Sequence, residues 1–377
     1  MASAQVPAAI PEREALREAR RVVVKIGSRL LAEDPGMIGR LCGEVAGLRR
    51  RGVEVLVVTS GAIALGMARL GWQRRPAELP RLQAAAAVGQ GQLMMRYDAA
   101  LSSHGLVLAQ VLLTHDDVRH RGRYLAARHA LLSMLAAGAV PVINENDTVS
   151  AAEIKFGDND RLAALCTSLV EADLLVILTD VLGLHSGDPK TGAPLIPLVR
   201  DIDEEGAAAV AGGAGSQLGT GGMASKVQAA RVAGRFGVPT VVTSGRLEAP
   251  VLAVLDGQDR GTLFLPRQGR LQSRKHWIAY ALKPKGKLTV DEGAWKALRQ
   301  GGKSLLPSGV REVEGHFDAG EPVSVAGPGG EEFARGLCGY DADAVRRIAG
   351  KKTSELEAIL GYKEMDEVIH RDDLVLL

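Results

Sequence analysis

Aromatic residues make up only 3% of this 377-residue chain, and cysteine occurs three times. Cys42, Cys166 and Cys338 stand far apart and form no C-x-x-C pair. That spacing excludes a disulfide framework and a thiolate zinc site, and it points to a reducing compartment. Few aromatics beside abundant Ala, Arg and Gly reflect a compositional bias rather than a special core. Also missing is any apolar run near the roughly 18 residues that a bilayer span requires. The first 21 residues set Glu12, Glu14 and Glu18 among arginines, with no continuous apolar stretch of the kind a signal peptide carries. A cytoplasmic protein with no membrane association is expected. Charge of one sign is lacking too, since the formal net charge is +2.

What remains is an ordinary globular composition, 46% hydrophobic and 24% charged, at a length that suggests two domains. Short apolar β-rich runs alternate with longer helical patterns, the signature of βαβ units around a parallel sheet. Strands are expected at Val22–Ile26, Val53–Val58, Leu106–Leu113, Val140–Ile143, Leu174–Leu178 and Pro239–Val242. Helices are expected at Leu82–Leu101 and Tyr124–Ala137, the second ended by Gly138. Small or polar residues close nearly every strand: Lys25-Ile26-Gly27-Ser28, Thr59-Ser60-Gly61, Asn144-Glu145-Asn146-Asp147, Thr179-Asp180 and Thr243-Ser244-Gly245. Each ending alone is turn or capping chemistry, but five on one edge of a sheet point to a site.

After about Lys283 the rhythm changes. Lys287–Val290, Gly309–Val313, Pro322–Val325 and Ala334–Leu337 are short β-like segments separated by Gly, Pro and Asp, as in a small β-barrel. A first domain is expected at 18–270, a linker at 271–284 and a second domain at 285–363. From Lys283 to Leu377 there are 14 Lys and Arg against 17 Asp and Glu. Nucleic-acid binding needs a net basic surface to neutralise phosphates, so a structural or regulatory role is favoured there. A local patch, Arg346-Arg347 with Lys351-Lys352, keeps RNA binding as the minority view.

The densest chemistry lies in Pro141-Val142-Ile143-Asn144-Glu145-Asn146-Asp147 and Glu153-Ile154-Lys155-Phe156-Gly157-Asp158-Asn159-Asp160. An apolar strand runs into amides and carboxylates, and a second such cluster stands where the next helix begins. In an open α/β sheet that position grips a small polar ligand. Gly219-Thr220-Gly221-Gly222-Met223-Ala224-Ser225-Lys226 leads into a helical pattern, so close backbone N–H groups, a helix amino terminus and a lysine combine to suit phosphate. Its alternative is a flexible connector. Lys25, ending the first strand, is read either as a solvated strand end or as a second cation for that phosphate. Asp160 is read as a carboxylate between the two lysines, as a helix N-cap for Arg161 onward, or as both.

Other motifs fail. Gly219-x-Gly221-x-x-Ala224 has no preceding strand for a dinucleotide fingerprint, and Gly301-Gly302-Lys303-Ser304 has Ala297 where a Walker A loop needs glycine. His104, His115, His120 and His129 show no zinc spacing, and Ser60 lacks the Gly-x-Ser-x-Gly frame of a nucleophile elbow.

Taken in order, Val24–Ser28, Val58–Ile63, Pro141–Asp147, Glu153–Asp160, Leu178–Asp180 and Gly219–Lys226 resemble the glutamate kinases of the amino acid kinase family, which carry a carboxy-terminal PUA domain. Thr289–Ala294, Ser304–Pro307 and Arg346–Gly350 extend the resemblance from Arg20 to Asp373. It implies an αβα sandwich on a mainly parallel sheet, plus a PUA-like barrel. It implies ATP with Mg²⁺ on its phosphates as donor, L-glutamate as acceptor, L-glutamyl 5-phosphate as product, and the first step of proline synthesis. Carried over by position, Lys25 and Lys226 contact phosphates and Asp160 orients them. Ser60, Asn144, Asp147 and Asn159 hold glutamate, with Asp147 opposite its ammonium. Thr179, Asp180, Thr220, Gly221, Gly222, Met223, Ala224, Ser225 and Lys226 line the nucleotide site, and no protein side chain is assigned as a metal ligand. The resemblance further implies proline as feedback inhibitor, a homo-oligomer (dimer or tetramer), and hand-over of the acyl phosphate to glutamyl phosphate reductase. A kinase acting on aspartate, acetylglutamate, carbamate or a nucleotide is the enzyme alternative.

Overall fold

The computed structural model describes residues 10–119, 121–149, 158–203, 222–266, 284–300, 302–362 and 365–377. Contacts divide the chain into two compact units, residues 1–118 with 127–267 and residues 119–126 with 268–377.

The larger unit is built on one sheet of eight strands. These are β1 (Arg21–Ile26), β2 (Glu54–Val58), β3 (Leu108–Leu113), β4 (Val140–Glu145), β5 (Leu174–Thr179), β6 (Leu198–Val199), β7 (Thr240–Ser244) and β8 (Thr262–Phe264), ordered β3-β4-β2-β1-β5-β7-β8-β6. Every pairing is parallel except β7 with β8. All six strands expected from the sequence are present, and their carboxyl ends share one edge. β4, β5 and β7 are buried along their whole length, because helices cover both faces of a parallel sheet and leave no solvated side.

Alternation along each strand sorts residues to the two faces. Val22, Val24 and Ile26 of β1 join Val55, Val57, Val140, Val142, Val176 and Leu178 in one core. That core packs against Leu41, Val45 and Leu48 of the helix Met37–Arg50, against Leu93, Tyr97 and Leu101 of the helix Leu79–Ser102, and against Val251 and Val254 of the helix Pro250–Leu255. Lys25 falls on the other face, where the helices Asp158–Leu169 and Met223–Arg235 pack on the sheet and on each other. The sheet's pleat therefore aims Lys25 at the amino ends of those two helices.

Two glycines set a closer packing on the first face. A Cβ on Gly66, in the helix Ala62–Arg69, would lie 1.7 Å from the Ala85 carbonyl oxygen, and one on Gly89 would lie 1.8 Å from that of Ala62. Backbones this close admit no side chain. The helix Leu79–Ser102 is thus pressed against the helix Ala62–Arg69, which follows Gly61, a residue whose φ of +104° favours glycine.

Ahead of β1, Arg13 is 1% exposed. Its guanidinium donates to the carbonyls of Pro197, Gln258, Arg260 and Gly261 at 2.8 to 3.2 Å and faces Asp259 at 3.2 Å. Burial lowers its pKa, with Asp259 opposing. Nothing in the sequence marks this arginine out from its neighbours.

The smaller unit holds β9 (Gly286–Val290), β10 (Val310–Gly315), β11 (Pro322–Ala326), β12 (Glu332–Leu337) and β13 (Leu374–Leu376), in the order β10-β9-β11-β12-β13. β9 and β11 run parallel and the other pairs antiparallel. Leu288, Val290, Val323, Val325, Ala334, Tyr340, Val345 and Ile348 form its core. Asp291 and Asp341 cap its helices, each accepting a backbone N–H three residues on at 2.8 Å.

Gly89→Ala is expected to destabilise the protein by about 1–3 kcal/mol through overpacking. Gly91→Ala, in the same helix with nothing within 4 Å of the added Cβ, is expected to be neutral or stabilising by up to about 1 kcal/mol. Denaturant midpoints of the two variants test the contrast.

Candidate functional site

Three charged side chains meet where β1 ends. Lys25 Nζ lies 2.5 Å from Asp160 Oδ1, and Lys226 Nζ lies 3.3 Å from Asp160 Oδ2. Ser225 Oγ donates to Asp160 Oδ2 at 2.6 Å. The exposures are 5% for Lys25, 1% for Asp160 and 5% for Lys226. Two buried ammonium groups thus share the Asp160 carboxylate; Asp180 also acts on Lys226 but is paired with Arg29, so positive charge exceeds negative among these described residues.

The titration behaviour follows from that ratio. Burial would raise the Asp160 carboxyl, yet Lys25, Lys226 and Ser225 outweigh it and hold the group below its usual range. Lys226 is pushed below the ordinary lysine value by burial, and the charge of Lys25 adds to the fall against the pull of Asp160. The helices Asp158–Leu169 and Met223–Arg235 both start here, so their positive amino ends add to the field.

Asp160 is the third residue of its helix, which begins at Asp158 rather than after Asp160. The expected N-cap role is therefore corrected. Its side chain reaches outward to the lysines and Ser225 instead of back to its own backbone. Gly222 holds the N-cap position of the other helix, in extended conformation, and Met223, Ala224, Ser225 and Lys226 make its first turn. Thr220 and Gly221 lie outside the described residues, as do Glu153 to Gly157.

Beside this cluster stands a set of amides. Asn159 Nδ2 donates to Ser60 Oγ at 2.9 Å and to Asn144 Oδ1 at 3.2 Å. Asn144 Nδ2 donates to Gln90 Oε1 at 2.9 Å. Ser60, Asn144 and Asn159 are thus brought together, as their places after β2, in β4 and in the next helix demand. Asp147, half-buried past the end of β4, bears electrostatically on Arg75, whose pKa burial lowers and Asp147 supports.

On the other side, buried Thr179 donates to Asp180 Oδ1 at 3.1 Å, and Arg29 Nη1 reaches Asp180 Oδ2 at 2.7 Å. Burial raises the Asp180 carboxyl, but Arg29 and Thr179 bring it below its usual value. Arg29 and Gln90 were not expected from the sequence. Arg29 had one available signal, its place in the first turn of the short helix Ser28–Glu33 that follows β1, four residues after Lys25.

The arrangement can hold a polyanion against Lys25, Lys226 and two helix amino ends, with a small polar molecule beside it among Ser60, Asn144 and Asn159. Comparison with known proteins agrees with this chemistry. The amino acid kinase family model matches residues 20–244 and the PUA domain model matches residues 286–360. The glutamate 5-kinase of Trichlorobacter lovleyi is 54% identical over 369 residues, 96% of this chain and 98% of that protein. Those of Pelobacter propionicus and Myxococcus xanthus are 52% and 51% identical, over 97% of this chain and 100% and 98% of theirs. With two lysines and a carboxylate at the carboxyl edge of its sheet, and these relatives along nearly its whole length, the chain belongs to the amino acid kinase family, on its glutamate 5-kinase branch.

Proposed function

We propose that this chain transfers the γ-phosphoryl group of ATP to the side-chain carboxylate of L-glutamate, giving L-glutamyl 5-phosphate for proline synthesis. The observation that carries the reading is the buried excess of positive charge at Lys25, Asp160 and Lys226. A glutamate side chain has a reference pKa of about 4.3, so the nucleophile is ionised at neutral pH and needs no base. The barrier is repulsion between two anions. Catalysis of such a transfer rests on positioning and on charges already placed where negative charge spreads.

In this reading Lys25 and Lys226 hold the transferring phosphoryl group from opposite sides, and Asp160 fixes both ammonium groups without moving a proton. Ser60, Asn144, Asp147 and Asn159 hold glutamate, Asp147 opposite the ammonium. Thr179, Asp180 and the turn from Gly222 to Ser225, with Thr220 and Gly221 before it, line the nucleotide. Asp160 faces two lysines and Asp180 an arginine, so these carboxylates suit a Mg²⁺ carried on the nucleotide's phosphates rather than one caged by the protein. When bound, that ion supplies further neutralisation of phosphate charge.

The same reading takes residues 18–270 as the kinase domain, 271–284 as linker and 285–363 as the PUA domain. For the latter a structural or regulatory role is favoured: Arg346 is engaged with Asp343 and the Gly315 carbonyl, and Arg347 with the Ile359 carbonyl, which draws on the patch an RNA would need. A cytoplasmic homo-oligomer, inhibited by proline at the glutamate site and passing its product to a reductase, completes it.

An assay of ADP release with glutamate, aspartate and acetylglutamate as acceptors is expected to show turnover with glutamate alone; preference for another acceptor overturns the assignment. Lys226→Ala is expected to lower kcat by about 10²-fold or more, the scale for losing one preplaced charge-stabilising group, with the circular dichroism of the folded protein retained. Asp160→Asn breaks a buried ion pair and is expected to cost about 3–5 kcal/mol of stability in the free protein. Because phosphates replace the lost negative charge, ADP should raise the Tm of that variant more than that of the wild type, as differential scanning calorimetry can show.

A further inference from the structure

The amides beside the lysine cluster form a continuous row with a single direction. Asn159 gives away both of its N–H groups, one to Ser60 and one to Asn144, and Asn144 passes its own to Gln90. This leaves two atoms over: Asn159 Oδ1, which can only accept, and Gln90 Nε2, which can only donate. Both atoms are shut off from solvent and have no hydrogen-bond partner among the described residues. Folded proteins keep few such atoms, since each has lost its water without replacement. An orphaned donor and an orphaned acceptor at separate points of one row are complementary to a molecule that offers a carboxylate at one point and an ammonium at another.

We infer that Gln90 recognises the α-carboxylate of the amino-acid substrate through Nε2. This rests on the proposed reading of the site as a glutamate pocket. The reacting carboxylate must face Lys25 and Lys226, which lie on the sheet face covered by the helices Asp158–Leu169 and Met223–Arg235. Gln90 belongs to the helix Leu79–Ser102, which packs on the opposite face. The carboxylate within its reach is therefore the one that does not react. Its placement is firm: Gly89, the residue before it, sits against the Ala62 carbonyl oxygen so closely that a Cβ would come within 1.8 Å. Gln90 is thereby held next to the first turn of the helix Ala62–Arg69. Asn159 Oδ1 is left for the ammonium, in company with Asp147.

The inference is tested with Gln90→Ala and Gln90→Glu, using two ligands. L-glutamate carries the α-carboxylate; 4-aminobutanoate keeps the amine and the other carboxylate but lacks it. In Gln90→Ala the KM for glutamate is expected to rise at least tenfold, while the inhibition constant of 4-aminobutanoate and the KM for ATP stay within twofold. Gln90→Glu keeps the oxygen that Asn144 bonds and replaces the donor by a repelling anion, so glutamate KM should rise further with the Tm unchanged. This second variant decides the matter if the first folds poorly. A glutamate KM that does not move in a folded variant, or a 4-aminobutanoate constant that weakens in step with it, overturns the role. Wild-type protein without glutamate-dependent turnover would instead remove the functional reading, and this inference with it.

Discussion

One carboxylate between two ammonium groups, all three closed to water, is the constraint on which the rest of the larger unit depends. Charges buried this way are costly unless geometry repays the lost hydration, and here three separate elements supply the geometry. β1 brings Lys25, the helix Asp158–Leu169 brings Asp160, and the helix Met223–Arg235 brings Ser225 and Lys226. The cluster joins segments that are about 200 residues apart in the chain, yet it is not neutral. A neutral pair would be content without a ligand; an excess cation in a dry site is relieved by an anion. Burial lowers the Lys226 pKa and the charge of Lys25 adds to the fall; the same excess charge suits the site to phosphate.

The sheet makes this possible by bringing strand ends to one edge. β1 lies between β2 and β5 in parallel register, with Lys25 opposite Val58 and Ile177. Polar ends of neighbouring strands are consequently placed side by side, and the pleat sends Lys25 and Thr179 toward one face while Asn144 follows Val140 and Val142 toward the other. The two faces then play different parts. Helices whose amino ends reach the edge carry the charges, and the helix Leu79–Ser102, bound to its neighbour through Gly66 and Gly89, brings an uncharged amide.

Much of this was legible in the chain. β1, β2, β4, β5 and β7 announce themselves because burial on both faces demands unbroken apolar runs, and their polar endings follow from the edge they share. β6 and β8, two and three residues long, carry too little pattern to be read, and β8 owes its antiparallel place to contacts distant in sequence. Lys25, Asp160 and Lys226 could be picked out since each stands at a strand or helix end. The capping role considered for Asp160 was misplaced because a carboxylate in a first helical turn looks alike whether it faces its own backbone or a distant lysine. Gln90 stayed hidden for a related reason. It sits midway along an alanine-rich helix, and only the contact of two glycines, invisible along one segment, puts it at the site. Arg13 is of the same kind: a charged residue among other charged residues, whose four carbonyl partners come from a different part of the chain.

The row from Ser60 through Asn159 and Asn144 to Gln90 has a property that none of its members has alone. Each amide is oriented by the next: reversing Asn144 alone would set its nitrogen against that of Asn159 and its oxygen against that of Gln90. In the glutamate pocket proposed above, such a row gives the guest a head and a tail. Under that proposal the lysines supply a third point, and three points suffice to tell a molecule from its mirror image without a contact to its carbon skeleton.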